Sequence, residues 1–197
     1  MAGEVHHGRD GSGAIETVRV EGAVAATPLH AHLSLVLGLV DAGARDIVLP
    51  DGPRRLEPGD GFVIPPDTAH AFAASAEGAH RVMAIAPGPL PPWQATVIRD
   101  DAWAAAFDAL YAAADTGRPE AASLVPALLM ETDRLAPRAP LSAPMPRPLR
   151  AARRLAGERL DEDVDFRALG RLAGLSPFHL HRLYRRAYGL TPAEHRL

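Results

Sequence analysis

The chain has 197 residues with 21 basic and 24 acidic side chains, a net charge of −3 and no cysteine. This length allows one or two domains with a sizeable core, and the absence of cysteine excludes disulfide bonds and thiolate chemistry. No apolar run reaches the eighteen or so residues that a membrane span needs, so we predict a cytoplasmic protein without a membrane partner.

The N-terminal half is rich in β-structure signals. The first residues, MAGEVHHGRDGSG, lack the apolar segment of a signal peptide, and we predict a disordered leader over residues 1–13. Short apolar runs then alternate with turns rich in Gly, Pro and Asp; these runs are ETVRVEGAV, LSLVLGLV, RDIVL, GFVIP and HRVMAIA. Many short strands at regular spacing predict a sandwich or barrel over residues 14–92.

Three histidines stand out in this β-region. His30 and His32 are two positions apart, so on a strand both point to the same face, and His70 follows about forty residues later in PGDGFVIPPDTAHAF. The pattern resembles the cupin fold, a small jelly-roll barrel whose two motifs bring such histidines together in the barrel mouth. The resemblance implies an effector or metal site at His30, His32 and His70. Where the cupin pattern has a carboxylate, this chain has Val36 or Leu37.

The chemistry of this predicted site has three interpretations. Three imidazoles can bind a divalent transition metal and leave coordination positions open. Without a metal, they would hydrogen-bond a small molecule in an apolar pocket, or they would be packing residues. The predicted apolar lining is Leu33, Leu35, Leu37, Phe62 and Ile64. His80 and Arg81, on a later strand, are further candidates. No catalytic residue and no organic cofactor is predicted.

From Trp93 the apolar period lengthens to three and four residues. One amphipathic helix is predicted to end near Gly117, and a second follows Pro119, with a kink expected at Pro126. Together they predict a helical hairpin over residues 93–136, whose surplus apolar surface indicates a homodimer. Residues 137–148 contain five prolines and predict a semi-rigid linker.

The last segment, over residues 149–197, has the pattern of a helix-turn-helix. Asp165 can cap a helix that starts at Phe166 and stops at Gly174. Ser176 and Pro177 then open a second helix. Its predicted buried face is Leu180, Leu183, Tyr184 and Ala187. Its predicted DNA-binding face is Phe178, His181 and Arg182 for base edges and Arg185 and Arg186 for phosphates.

Charge supports a DNA partner. Residues 147–197 carry 11 Arg against 6 acidic residues, whereas residues 1–146 carry 10 Arg against 18 acidic residues. A basic module joined to an acidic one is typical of a nucleic-acid-binding segment attached to a non-binding domain.

The segment LAGLSPFHLHRLYRRAYGLTP resembles the first helix-turn-helix of the AraC family of bacterial transcription regulators. The matching positions run from Leu172 to Pro192, and the family often carries a cupin-like effector domain. Family members have two such motifs, whereas this sequence reaches only the start of a further helix at Thr191, so we expect an incomplete DNA-binding domain.

The resulting prediction is an α+β protein with an N-terminal cupin-like jelly-roll barrel, a helical hairpin and a C-terminal all-α helix-turn-helix. The predicted function is regulation of transcription, in which a small molecule or metal bound to the barrel controls binding to double-stranded promoter DNA, with RNA polymerase as a further partner. The alternatives are a metal-dependent cupin enzyme and a truncated regulator that acts by mixed dimerisation.

Overall fold

The computed structural model describes residues 3–86, 88–139, 149, 153 and 166–191. The first part consists of ten antiparallel strands in two sheets. The strands are β1 Glu4–Arg9, β2 Ile15–Glu21, β3 Thr27–His30, β4 Leu35–Ala42, β5 Arg45–Leu49, β6 Gly52–Leu56, β7 Gly61–Ile64, β8 His70–Phe72, β9 Ala79–Ile85 and β10 Thr96–Ile98.

The two sheets differ in size. The larger has the order β1-β2-β9-β4-β7-β10 and the smaller has the order β3-β8-β5-β6. Between them lies an apolar layer that includes Val36, Ile47, Leu56, Phe62 and Ile64, all buried. This is the sandwich or barrel predicted from the spacing of the strands.

Two strands lie outside the predicted range of the barrel. The disordered leader predicted for residues 1–13 is wrong for Glu4–Arg9, because β1 pairs with β2 over six consecutive residues. Its side chains are almost all exposed, so no apolar pattern marks it as a strand, and backbone pairing to a neighbour is what orders it. At the other end, β10 pairs with β7 beyond residue 92.

A helical hairpin covers the larger sheet. Helix α1 spans Asp101–Asp115 and helix α2 spans Ala121–Leu135, and α2 continues through Pro126. The Asp100 side chain caps α1 by accepting a hydrogen bond from the Trp103 N–H. Trp103, Phe107 and Leu110 are fully or almost fully buried in one core with the facing strand residues. The sequence predicted that the hairpin has more apolar surface than its own chain can cover. The apolar face of α1 is instead covered by the larger sheet of the same chain.

Strand β4 shows the consequence of this layering. Leu35, Leu37 and Leu39 face the hairpin, whereas Val36 and Val40 face the smaller sheet. Both faces of the strand are covered, and its first six residues are all buried. This explains why the segment LSLVLGLV is almost continuously apolar and does not alternate between apolar and polar residues.

The C-terminal part contains α3 over Phe166–Ala173 and α4 over Pro177–Tyr188. Leu149, Leu180, Tyr184 and Tyr188 form a separate small core. Asp165 and most of the predicted linker lie outside the described residues. Within the described part of the chain, no helix is both long enough and apolar enough to cross a bilayer.

Candidate functional site

The three predicted histidines come together at one edge of the smaller sheet. His30 ends β3 and His70 begins β8, and the two are directly paired across the strands. His32 lies two residues beyond the end of β3. The ring centroid of His30 is 4.2 Å from that of His70 and 4.7 Å from that of His32. One ring nitrogen of each lies within 4.8 Å of the other two. We call these three residues the histidine cluster.

Backbone carbonyls fix the tautomers of the two buried histidines. The His30 Nδ1 donates to the carbonyl of Pro28 at 2.8 Å, and the His70 Nδ1 donates to the carbonyl of Thr68 at 2.9 Å. Because a carbonyl only accepts, each Nδ1 carries the proton and each Nε2 of the neutral ring carries a lone pair. The Nε2 atoms of His30 and His32 are 3.0 Å apart, so in the neutral state His32 is the donor in that contact.

Burial keeps His70, one member of this cluster, uncharged at neutral pH. His30 and His70 are buried and His32 is half-buried, so the cluster meets solvent through His32. Desolvation lowers the pKa of His70 to about 3, outweighing the opposing effect of the Thr68 carbonyl, and the two neighbouring imidazoles lower it further. A neutral imidazole is the form that binds metal ions.

The donor set fits a divalent transition metal. Histidine ligands whose second ring nitrogen donates to a backbone carbonyl are the usual arrangement at protein metal sites, because that bond fixes the ring and its tautomer. Among the described residues, no carboxylate joins the cluster. The place of the cupin carboxylate is occupied by Val36 and Leu37, which are both buried apolar strand residues.

The predicted apolar lining is divided between two layers of the domain. Leu35 and Leu37 face the helical hairpin, whereas Phe62 and Ile64 lie between the sheets. The remaining candidate of the lining, Leu33, is partly buried.

The two candidates on β9 are also apart from the cluster. His80 lines a small cavity together with Arg45. Arg81 is engaged on the hairpin side, where it forms ion pairs with Asp41 at 2.6 Å and Asp108 at 2.8 Å.

The second candidate site is helix α4. Its N-cap is Ser176, whose hydroxyl accepts a hydrogen bond from the His179 N–H at 3.2 Å, and Pro177 occupies the first position. At its other end Gly189 adopts the left-handed conformation, with φ of 73°. Both ends of α4 are therefore set by local sequence.

The two faces of α4 differ as an amphipathic helix requires. Leu180 and Tyr184 are completely buried, Leu183 is partly buried, and Ala187, which was predicted to be buried, is exposed. Tyr188 takes its place in the core at 8 % exposure.

The predicted DNA-binding residues lie on the opposite face. Phe178 is 77 % exposed, Arg182, Arg185 and Arg186 are exposed, and His181 is half-buried. Within the described part of the chain, Phe178 is thus an exposed large apolar side chain beside three arginines.

The turn between α3 and α4 is a Schellman motif. The Leu175 N–H donates to the Gly170 carbonyl at 2.9 Å and the Gly174 N–H donates to the Arg171 carbonyl at 3.1 Å, with Gly174 at φ of 64°. A β-carbon on Gly170 would lie 2.7 Å from the Leu175 carbonyl oxygen. The close approach of α3 to the turn therefore requires glycine at position 170, a requirement that sequence reasoning missed.

Comparison with protein families agrees with this architecture. The family model described as the AraC-like ligand binding domain matches residues 12–132, more than half of the chain. The model for bacterial regulatory helix-turn-helix proteins of the AraC family matches residues 158–197. The chain belongs to the AraC family. It is a transcription regulator with a cupin-like ligand-binding domain and a DNA-binding helix-turn-helix.

One solved structure shows the same fold, and two others are more distant matches. The AraC-like transcriptional activator CuxR is 15 % identical, with a TM-score of 0.55 over 90 % of this chain and 73 % of that one. Oxalate decarboxylase from Bacillus subtilis is 19 % identical, with a TM-score of 0.35 over 44 % of this chain and 26 % of that one. The DMSP lyase DddQ from Ruegeria pomeroyi DSS-3 is 24 % identical, with a TM-score of 0.33 over 36 % of this chain and 38 % of that one. No curated protein matches the sequence.

Proposed function

We propose that this AraC-family regulator responds to a divalent transition metal ion held by His30, His32 and His70, and that the ion controls sequence-specific DNA binding by α4. The observation that carries the proposal is the pair of Nδ1–carbonyl bonds, which leaves the Nε2 lone pairs of His30 and His70 available in a cluster where one ring nitrogen of each histidine lies within 4.8 Å of the others. A purely packing role needs neither the fixed tautomers nor the convergence of three rings.

Binding would join three separate pieces of chain. His30 belongs to β3, His32 to the segment after it and His70 to β8. When bound, the ion supplies Lewis acidity and leaves coordination positions open to a small-molecule effector. His32 would have to exchange its Nε2 proton for the ion, because its present contact with His30 requires that proton.

A titration of the full chain with Zn²⁺ and Co²⁺ tests the site. We expect one equivalent to bind, with loss of high-affinity binding in His30→Ala and in His70→Ala. The matched control is His7→Ala, because His7 is exposed on β1 and far from the cluster in sequence. Equal binding by His30→Ala and wild type, measured by calorimetry and by the Co²⁺ absorption spectrum, would exclude this assignment.

The barrel is proposed to sense and not to catalyse. Oxygenases on this fold favour a set of two histidines and one carboxylate, whereas the cluster among the described residues contains imidazoles only. The covalent connection to a DNA-binding module supports the same conclusion. Turnover of a substrate by the metal-loaded protein would contradict it.

For DNA reading, we propose that Phe178, His181 and Arg182 contact base edges and that Arg185 and Arg186 contact phosphates. The first three lie in the N-terminal half of α4, which enters the major groove first in helix-turn-helix proteins. An arginine there can pair bidentately with guanine, and a phenylalanine can contact the thymine methyl group. The exposed positions of Phe178 and Arg182 support this proposal.

Duplexes selected from a random library by the wild-type protein provide the probe for this test. Arg182→Ala should cost about 1–3 kcal/mol on the selected duplex and relax its base preference. Arg185→Ala should weaken all duplexes similarly and reduce the salt dependence of binding. An unchanged base preference in Arg182→Ala would remove Arg182 from the base-reading set.

We also propose a homodimer, formed through the outer surface of α2. Met130 on this helix is 72 % exposed, whereas the apolar face of α1 is covered by the sheet. Met130→Asp should shift the protein to a monomer in sedimentation analysis, with Glu131→Gln on the same helix as the control. A monomeric wild type at micromolar concentration would contradict the proposal.

A further inference from the structure

The turn between β7 and β8 touches both candidate sites. Asp67, in this turn, adopts a left-handed backbone with φ of 63°, which aspartate tolerates better than most residues. Its N–H donates to the His32 carbonyl at 2.8 Å. The carbonyl of the next residue, Thr68, accepts the hydrogen bond from the His70 Nδ1. The backbone of this turn is thus bonded to two of the three clustered histidines.

The other side of the same turn meets the DNA-binding module. The Asp67 carboxylate forms an ion pair with Arg153, in which both side chains are about three-quarters buried. The negative charge of Asp67 also helps to raise the pKa of Tyr184, after burial and the neighbouring Tyr188. Tyr184 belongs to the buried face of α4.

Apolar contacts extend this junction towards the C-terminal end of α4. A groove of about 530 Å³ is lined from the barrel by residues that include Leu29, Thr68 and Ala69, and from the module by Ala187, Tyr188 and Gly189. The Asp67 side chain and the end of α4 therefore lie at one interface between the barrel and the DNA-binding module.

We propose that Asp67 is a positioning residue that couples occupation of the histidine cluster to the seating of α4 on the barrel. The proposal rests on the proposed function, because it takes the cluster as the effector site. It adds a connection made of two bonds: the Asp67 N–H donates to the His32 carbonyl, and the Asp67 carboxylate pairs with Arg153.

Coordination geometry gives the physical reason. Nitrogen ligands at 2.0–2.1 Å around a tetrahedral ion lie about 3.3 Å from one another, and the ring nitrogens here already lie within 4.8 Å of one another, with those of His30 and His32 3.0 Å apart. His32 is the ligand that must exchange its present contact with His30, and its carbonyl holds the Asp67 N–H. The three rings already converge in the arrangement in which Asp67 pairs with Arg153 and α4 packs on the barrel. Metal ligation should therefore favour this arrangement.

Amide hydrogen exchange of the full chain, with Zn²⁺ as the probe, tests this coupling. In the wild type, saturating Zn²⁺ should slow exchange of the α4 amides by about fivefold or more, which is the lower range of allosteric coupling. Asp67→Asn keeps the side-chain shape and the N–H to His32 but removes the charge. It should lose most of this slowing while still binding Zn²⁺.

Arg153→Gln should behave in the same way, and the double variant should be no worse than either single variant, because both changes remove one interaction. Coupling between two sites is reciprocal. The factor by which a variant loses the Zn²⁺ effect on α4 exchange should therefore equal the factor by which its Zn²⁺ affinity falls. A merely structural role for Asp67 predicts no such match. The matched control is Asp51→Asn, which removes an exposed ion pair with Arg54.

Two results would overturn the coupling while leaving the metal site intact. One is Zn²⁺ binding to the wild type without any change in α4 exchange, and the other is a full wild-type response in both Asp67→Asn and Arg153→Gln. A wild type that shows no Zn²⁺ binding in calorimetry would instead refute the metal site itself, and the coupling with it. If Asp67→Asn does not fold, Arg153→Gln decides the question alone.

Discussion

Replacing Gly170 by alanine has two effects of opposite sign on the stability of the helix-turn-helix. In an exposed helix interior, glycine to alanine stabilises by about 1 kcal/mol, because alanine loses less backbone freedom on folding. Here the new methyl group would lie 2.7 Å from the Leu175 carbonyl oxygen and 3.3 Å from the Pro177 nitrogen. Both are backbone atoms of the turn, so neither can move away as the end of a flexible side chain would.

Relief of that contact requires α3 to shift away from the turn. The shift would weaken the two Schellman hydrogen bonds, each worth about 0.5–1.5 kcal/mol, and overpacking adds about 1–3 kcal/mol. After subtraction of about 1 kcal/mol for helix propensity, we expect Gly170→Ala to destabilise the helix-turn-helix by about 1–5 kcal/mol. DNA binding should weaken because the orientation of α4 depends on this turn.

Amide exchange in α3 and α4, together with binding to a selected duplex, measures this effect, and Zn²⁺ binding reports on the barrel. Ala109→Gly, at an exposed position in the middle of α1, calibrates the propensity effect. Slower exchange in Gly170→Ala, with unchanged DNA affinity, would mean that propensity outweighs the steric contact and that our reasoning on the turn is wrong.

Three further predictions concern the stability of the barrel and the helical hairpin. Burial lowers the pKa of His80 to about 4 from an unfolded value near 6.5, so the stability that depends on its neutral form is complete above pH 6.5 and lost as the pH falls towards 4. Urea unfolding should show a loss of about 2 kcal/mol from this group between about pH 7.5 and 5, absent in His80→Gln. Thr132→Val should cost about 1–3 kcal/mol in the same assay, because it leaves the buried Trp103 indole N–H without its 2.9 Å acceptor; an unchanged midpoint would show that another acceptor replaces it. Leu37→Ala should cost about 2–5 kcal/mol, against less than about 1 kcal/mol for the exposed Leu29→Ala, and similar losses would contradict the two-sided packing of β4.

Local patterns predicted the helices well because their signals lie within a few residues. Ser176, Pro177 and Gly189 set both ends of α4, and the structure has its helix between them. The strand RDIVL is likewise found as β5, over Arg45–Leu49. Strand β1 was missed because nothing in its exposed side chains distinguishes it from a loop, and only pairing with β2 orders it.

The candidate site was partly predictable. The spacing of His30 and His32 and the motif around His70 led to the cluster, whose three rings the structure brings together. The apolar lining was not predictable, because the face to which each residue of β4 points depends on which layer covers each side. Leu35 and Leu37 face the hairpin, a placement that no local pattern specifies.

Where the described part of the chain has a clear pattern, the sequence alone determined which segments form helices and strands. It also determined where α4 begins and ends and which of its side chains carry positive charge. These properties depend on capping, periodicity and composition, all of which act over one or two turns of chain. Tertiary structure alone decided that α1 covers the larger sheet and that Asp67 contacts His32 through its backbone and Arg153 through its carboxylate. The physical reason is that these contacts join residues far apart in the chain, and their distances are set by the packing of whole elements.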